Sequence, residues 1–419
     1  MKVKVSTLLK ILLYIIVIGC ENCFYLIDTD AVNISGIFNY LDFFIVLSAV
    51  FFALVYIRYG KKHCDFKFKW LILSVIPLSV LASIQANILF GQPFVMGLRP
   101  QRFWIVWGLL YFPIRRMMEV KKLTVDDLIK MVFVIGTVEI ILFSLQYIIG
   151  TGHLFLYVGM NQRYGSDRYY FYNIFLRLLL FINLDRVFQK KKVLISCIYI
   201  VAVLFVLVVV GKMRMTSLTT LLAIAFGVLI WRRGGTTKIG ILFAGITAAI
   251  LLFNTQFVQD ALSTAFEALN GVYSAASTLT IRKVGRQLYL ETLKNHPLLG
   301  GGYPSVLNAA ASEAAGFTRY IYLVDNGLFA FAYIYGGLGI MWVVWFFATL
   351  LRNGWKIYKK RGLQFMLLAP LGWLIAGQTE AHWYFDNGFI CVTIILVILE
   401  EYLKTPKTET GSTILEKRK

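Results

Sequence analysis

The sequence predicts an all-α protein: a polytopic membrane helix bundle of about 12 transmembrane helices with one large helical extracytoplasmic loop. Three observations predict it. The chain is 58% hydrophobic and 15% charged, with mean hydropathy +0.71, whereas soluble domains are about half apolar and a quarter charged. Apolar runs recur along its whole length, each of the roughly 20 residues needed to cross a hydrocarbon core of ~30 Å. Finally, Lys and Arg gather in alternate connections between those runs.

The runs cover 8–27, 36–57, 70–91, 96–114, 128–150, 170–184, 192–211, 215–231, 238–254, 323–351, 364–378 and 388–402. The fourth is charged near its start and the sixth is short. No small-residue cleavage site follows the first run, so it reads as a retained span rather than a signal peptide. Residues 1–254 thus hold nine spans with short loops, and 323–403 hold three more. The long connection, 255–322, contains helix-like stretches and a Gly-rich turn, and long structured loops of this kind are usually functional. Residues 404–419 form a polar tail, expected to be disordered.

Charge fixes the expected orientation. With the N-terminus in the cytoplasm, the inner segments and their flanks hold 30 of the 42 Lys and Arg, including Lys61, Lys62, Arg115, Arg116, Lys190 to Lys192, Arg232, Arg233, Lys359, Lys360 and Arg361. The outer segments hold 11 basic and 11 acidic residues. Positive charge marks cytoplasmic loops, so both termini are expected inside. The same asymmetry accounts for the net charge of +20 without any nucleic-acid partner. Cys20 and Cys23 form a C-x-x-C with no second pair to complete a zinc site. His63, His153, His296 and His382 are scattered. No metal and no cofactor is expected. Within the spans lie Asp42, Glu139 and Arg177. Intramembrane charge is costly and is either paired or functional; a Glu139–Arg177 ion pair is the preferred reading.

The outer arginines are Arg99, Arg102, Arg163, Arg168, Arg214, Arg282, Arg286 and Arg319. They stand against the charge bias and outnumber outer Lys eight to three. Arg suits bidentate phosphate recognition, so as a group they suggest a site for a lipid-linked diphosphate; singly, each could equally snorkel or pair locally. Arg282, Arg286 and Tyr289 share a face if their segment is helical. The three glycines of Leu298-Leu299-Gly300-Gly301-Gly302-Tyr303 would either let backbone N–H groups approach an anion or simply form a turn.

The run from Arg282 to His296-Pro297-Leu298-Leu299-Gly300-Gly301-Gly302, in a large outer loop late in the chain, resembles the O-antigen polymerase and O-antigen ligase superfamily. Members carry an Arg about fourteen residues before such a His-Pro-Leu-Leu-Gly-x-Gly segment. Lys212-Met213-Arg214-Met215-Thr216-Ser217 is similar to the family's outer Ser-Arg, with Met213 for Ser. Asp325-Asn326, nine residues and Gly336 is similar to the ligase branch's His-Asn, nine residues and Gly, with Asp325 for His.

The resemblance implies a metal-independent membrane glycosyltransferase of the bacterial plasma membrane. It would transfer a glycan from undecaprenyl diphosphate to an acceptor hydroxyl, with no nucleotide sugar. The donor and acceptor would be lipid-linked oligosaccharides within membrane lipid, and a flippase and a chain-length regulator are possible partners. On this reading Arg214, Arg282 and Asp325 are catalytic, and Arg286, Arg163, Arg168, His296, Tyr289 and Asn326 bind substrate. Asp325 would activate the acceptor, orient it, or only cap the tenth span. The polymerase branch fits better than the ligase branch because Asp325 replaces the ligase His. A transporter or flippase of lipid-linked glycans is the reading from another class, and the absence of a repeated half in the sequence counts against it.

Thiol labelling tests the orientation. Lys191→Cys and Lys360→Cys are expected to label only from the cytoplasmic side, and residues 255–322 to be cleaved by protease only from outside. Outside labelling at position 360 would overturn the topology.

Overall fold

The computed structural model describes residues 4–33, 39–60, 64–163, 166–231, 278–377, 383–384, 387 and 388–404. The expected ninth span, the first third of the cap and the polar tail lie outside them. The helices are α1 (Val5–Cys20), α2 (Thr29–Val32), α3 (Tyr40–Tyr59), α4 (Lys69–Leu73), α5 (Val75–Phe90), α6 (Phe94–Leu109), α7 (Tyr111–Glu119) and α8 (Val125–Ile149). After a two-stranded antiparallel hairpin, β1 (Gly159–Arg163) and β2 (Ser166–Tyr170), come α9 (Ile174–Phe188), α10 (Val193–Phe205), α11 (Arg214–Ile230) and α12 (Thr278–Asn295). The chain continues through α13 (Ala309–Ala314), α14 (Gly327–Arg361), α15 (Phe365–Ala376) and α16 (Gly388–Lys404).

The all-α expectation holds apart from the hairpin. Among the described residues, five helical stretches are long and apolar enough to cross a membrane: Tyr40–Tyr59, Lys69–Phe90, Val125–Ile149, Val193–Val210 and Leu323–Arg361. Val5–Cys20, Thr216–Ile230 and Phe365–Ala376 are shorter apolar helices. Their outward faces are greasy, with Ile57 81% and Ile88 69% exposed. A water-soluble surface rarely tolerates that over whole helices, and the fold is that of a multi-pass membrane protein. The expected fourth span is two helices, α6 and α7, with a single residue between them.

The described segments among those read as basic meet at one end of the bundle. There Arg115, 1% exposed, donates Nε to Glu400 (3.0 Å), Nη1 to Glu401 (2.5 Å) and Nη2 to Glu119 (3.0 Å), fastening α7 to α16. Arg116 Nε donates to the Tyr59 carbonyl of α3 at 2.7 Å. Asp185 of α9 accepts from the Gln364 backbone N–H at the start of α15 (2.6 Å) and from Gln189 (2.7 Å). Lys10 of α1 meets Asp127 of α8 at 2.8 Å.

The Glu139–Arg177 pair does not form. Arg177 Nη2 donates to the Gly372 carbonyl of α15 at 3.0 Å, where the missing side chain leaves room for a guanidinium. Glu139 faces Glu21, at the end of α1, instead. α9 turns Arg177 towards α15, so the two opposite charges point to different neighbours.

The other end is organised by a break in the longest helix. α14 runs 35 residues, but Gly336 takes φ +61° and ψ −151°, which interrupts its hydrogen bonding. The turn after α12 fills the break. Gly337 N–H donates to the Pro297 carbonyl (2.8 Å), Leu338 N–H to Leu298 (3.2 Å), and Gly301 N–H to Tyr333 (2.7 Å). α5 holds the same turn from the far side: Gln85 donates to the Gly300 carbonyl (3.1 Å) and Tyr303 N–H to Ala82 (3.2 Å). Gln92 then donates to the Tyr303 carbonyl (2.9 Å) and accepts from Ser305 N–H (2.7 Å).

Glycine is obligatory here. A Cβ on Gly300 would lie 2.2 Å from the Tyr333 oxygen, and one on Gly336 2.4 Å from the Gly300 nitrogen, all backbone atoms that cannot swing aside. Gly362, also at positive φ (+78°), has nothing within 4 Å of such a Cβ and isolates the conformational cost. That cost is ~1–2 kcal/mol. Gly362→Ala is therefore expected to be mild, whereas Gly300→Ala and Gly336→Ala should lose several kcal/mol more through the clash and the displaced turn. Thermal unfolding of purified protein in detergent checks this; equal midpoints for Gly362→Ala and Gly336→Ala would refute it.

Candidate active site

α12 presents Arg282, Gly285, Arg286 and Tyr289 at helical spacing on one face. Gly285 is the low point of that face, and Asn326 fills it. A Cβ there would meet Asn326 Nδ2 at 3.0 Å, its Oδ1 at 3.1 Å and Ile321 Cγ2 at 2.8 Å. The short 3-10 turn Leu323–Asn326 therefore lies across α12 between its two arginines. Asn326 is buried; its Nδ2 donates to the Tyr322 carbonyl at 3.0 Å, and its Oδ1 has no hydrogen-bond partner among the described residues. Gly327, at φ +51°, then turns the chain into α14, and Leu328 N–H donates to the Gly377 carbonyl after α15 (2.6 Å).

This arrangement sets Asp325 Oδ1 3.2 Å from Arg282 Nη2. The carboxylate side chain is 45% exposed and the guanidinium 20%, so the pair is reachable from outside the protein. Arg282 Nε is buried without a hydrogen-bond partner among the described residues. On the other side of the notch, the Arg286 guanidinium lies 5.0 Å from the Phe329 ring centre, a cation–π contact that orients its fork.

Other expected site residues have different positions. Tyr289 is a buried strut. Its ring packs on Tyr333 at 4.7 Å and its hydroxyl donates to the Ala315 carbonyl at 3.3 Å. Burial raises that hydroxyl's pKa well above the ordinary value, so it stays a donor. His296 is half-buried just beyond α12, fourteen residues from Arg282, which is roughly 21 Å along a helix. Its imidazole makes no hydrogen bond among the described residues. The glycines offer no anion cradle through Gly300 and Gly301, because those N–H groups already bond His296 and Tyr333. Close packing is the reason for them, of Gly300 and Gly301 against α14 and of Gly302 against α5.

Arg168 ties the β1–β2 hairpin to the lead-in of α11, donating Nε to the Gly211 carbonyl (3.1 Å) and Nη1 to Tyr170 (3.2 Å). Arg214 is the first residue of α11, and Arg163 ends β1; their side chains lie outside the described residues. α11 runs antiparallel to α15, with Gly227 against Leu368 near the start of α15. The start of α11 is accordingly at the end of the bundle where α15 finishes, beside Leu328. Hairpin, α11 start, α12 and the Asp325 turn thus share one end.

Sequence reasoning missed Gly285 and Phe329. A lone glycine among good helix formers was the available signal for the first; nothing in the sequence marked the second. Gly285→Leu is expected to push Asn326 out of its notch and separate Arg282 from Asp325. Overpacking typically costs 1–3 kcal/mol, so the thermal midpoint should fall. An unchanged midpoint would mean that the turn does not depend on this notch.

A scan against protein-family models finds no match, and no curated protein matches the chain either.

Proposed function

We propose that the chain polymerises undecaprenyl-diphosphate-linked oligosaccharide repeat units of O-antigen, capsule or exopolysaccharide. In this reading it is a twelve-span protein of the bacterial plasma membrane with both termini cytoplasmic and residues 255–322 capping the outer face. The growing glycan passes from its lipid diphosphate to the next lipid-linked repeat. A flippase would supply those repeats and a chain-length regulator would limit the product.

The observation that carries the reading is the part-exposed Arg282–Asp325 pair, with Arg286 across a glycine notch, at the end of the bundle opposite the basic loops. Glycan transfer needs both charges close together. The acceptor hydroxyl attacks the anomeric carbon, its proton passes to Asp325, and the bond from that carbon to the diphosphate oxygen breaks. Negative charge then grows on the leaving diphosphate, where Arg282, Arg286 and Arg214 would hold it. Preorganised donors aimed at developing charge are the largest single catalytic contribution in many enzymes. The ligase reading shares this donor and differs in its acceptor, a lipid A–core; Asp325 in place of the ligase His favours the polymerase.

Losing one such donor costs roughly 100- to 1000-fold in rate. Arg214→Ala and Arg282→Ala are expected to fall in that range in membranes holding equal amounts of folded protein, with Arg282→Lys intermediate because it keeps charge but loses the fork. The Asp325 side chain is nearly half exposed, so leaving it unpaired should cost little stability. Arg319, exposed on the cap, should tolerate Ala. Near-normal polymer from both Arg214→Ala and Arg282→Ala would sink the site. In a deletion strain, long chains should vanish while a single repeat remains attached; loss of all attached glycan would mean a ligase instead.

A further inference from the structure

Two arginines singled out in the sequence, Arg99 and Arg102, take no part in the proposed transfer. Both stand near the start of α6, at the end of the bundle that carries the Arg282–Asp325 pair, since Gln92 just before α6 bonds Tyr303 and Ser305. Arg102 grips Asp42 of α3 through two bonds, Nε to Oδ1 (2.6 Å) and Nη2 to Oδ2 (2.9 Å). The second oxygen also accepts from the Asn39 N–H at 2.9 Å. Both Asp42 oxygens are therefore engaged, and its charge is paired with Arg102. Arg99 is half-buried, lies within electrostatic reach of Asp42, and makes no ion pair or side-chain hydrogen bond among the described residues. The three groups together carry one net positive charge.

An apolar groove of about 310 Å³ lies between the same two helices, lined by Ile45, Ala49 and Phe52 of α3 and Val106 and Leu109 of α6. Helical spacing puts it directly beneath the charged cluster. Asp42, Ile45, Ala49 and Phe52 follow one stripe of α3, and Arg99, Arg102, Val106 and Leu109 follow one stripe of α6. From Arg99 to Leu109 the charged cluster and the groove together span about 15 Å along α6. That is about half of a ~30 Å hydrocarbon core, the depth of one leaflet.

We propose that this groove binds one acidic phospholipid, with an acyl chain between α3 and α6 and the phosphate on Arg99. Depth argues for a lipid of a single leaflet. Charge argues for an acidic one: Arg102 already neutralises Asp42, which leaves the cluster one net positive charge, and Arg99 has a whole fork for a phosphate.

Native mass spectrometry of the full chain, released from bilayers of equal phosphatidylglycerol and phosphatidylcholine of matched chains, tests the proposal. One phosphatidylglycerol should be retained with a preference of about fivefold or more, as expected for one basic group at a lipid surface. Arg99→Gln should abolish the preference, and Ala49→Trp should reduce retention of either lipid by filling the groove. Both variants should keep the wild-type thermal midpoint within a few degrees; Arg319→Ala should behave as wild type. Equal retention of the two lipids by the wild type, or an unchanged preference in Arg99→Gln, would overturn it. Displacement of phosphatidylglycerol by undecaprenyl phosphate but not by inorganic phosphate would also overturn it, assigning the groove to a polyprenyl chain.

Discussion

The architecture of the arginine-bearing end depends on how the break at Gly336 is satisfied. Inside a membrane an interrupted helix exposes amides and carbonyls that water cannot reach, and each left unpaired costs several kcal/mol. Here the 297–302 turn supplies the partners. It donates through Gly301 and accepts through Pro297 and Leu298, so a loop replaces the missing helical bonds. The replacement works only if two backbones touch, which is why Gly300 and Gly336 face each other with no room for a Cβ. Because the turn is continuous with α12, docking it also docks the helix that carries Arg282 and Arg286. The notch at Gly285 and the Asp325 turn then complete a second contact between α12 and the start of α14. Backbone satisfaction, not ion pairing, sets the geometry of the candidate site.

The two ends treat charge in opposite ways. At the basic end Arg115 and Glu400 are almost wholly buried and tied to three further charged groups, Glu119, Glu401 and Lys404. Removing one partner of such a cluster strands the others in low dielectric, so the cluster resists change. At the other end Arg282 and Asp325 share one 3.2 Å contact and stay open. Exposed pairs contribute little to stability, and a pair worth little to the fold is free to exchange its partner for a ligand.

Much of this was legible in the sequence because it follows from hydropathy and charge. Apolar runs gave the long apolar helices of the described residues, and the described basic connections converge on one end. The amphipathic spacing of Arg282, Arg286 and Tyr289 is real, although Tyr289 turned inward. What was not legible depends on partners distant in the chain. Nothing local to Glu139 says that it meets Glu21 rather than Arg177, since that is decided by the rotation of three helices. The triple glycine reads alike as an anion cradle, a loose turn or a wedge; only the break at Gly336, far along the chain, distinguishes them. The hairpin at 159–170 escaped notice because its strands alternate weakly and hold polar residues on both faces.

The length of α12 carries a consequence of its own. Its near end is fixed by the wedge in α14 and its far end displays the arginines, so the helix acts as a ruler of roughly 21 Å, close to four full turns, between His296 and Arg282. Substitutions along the exposed side of that ruler leave its reach and phase intact. Deleting or inserting a single residue would not: each swings everything beyond it by about 100° and shifts it by about 1.5 Å, carrying Arg282 off the Asp325 turn. Divergent copies of this protein can therefore vary in α12 composition, but not in the number of residues between Arg282 and His296.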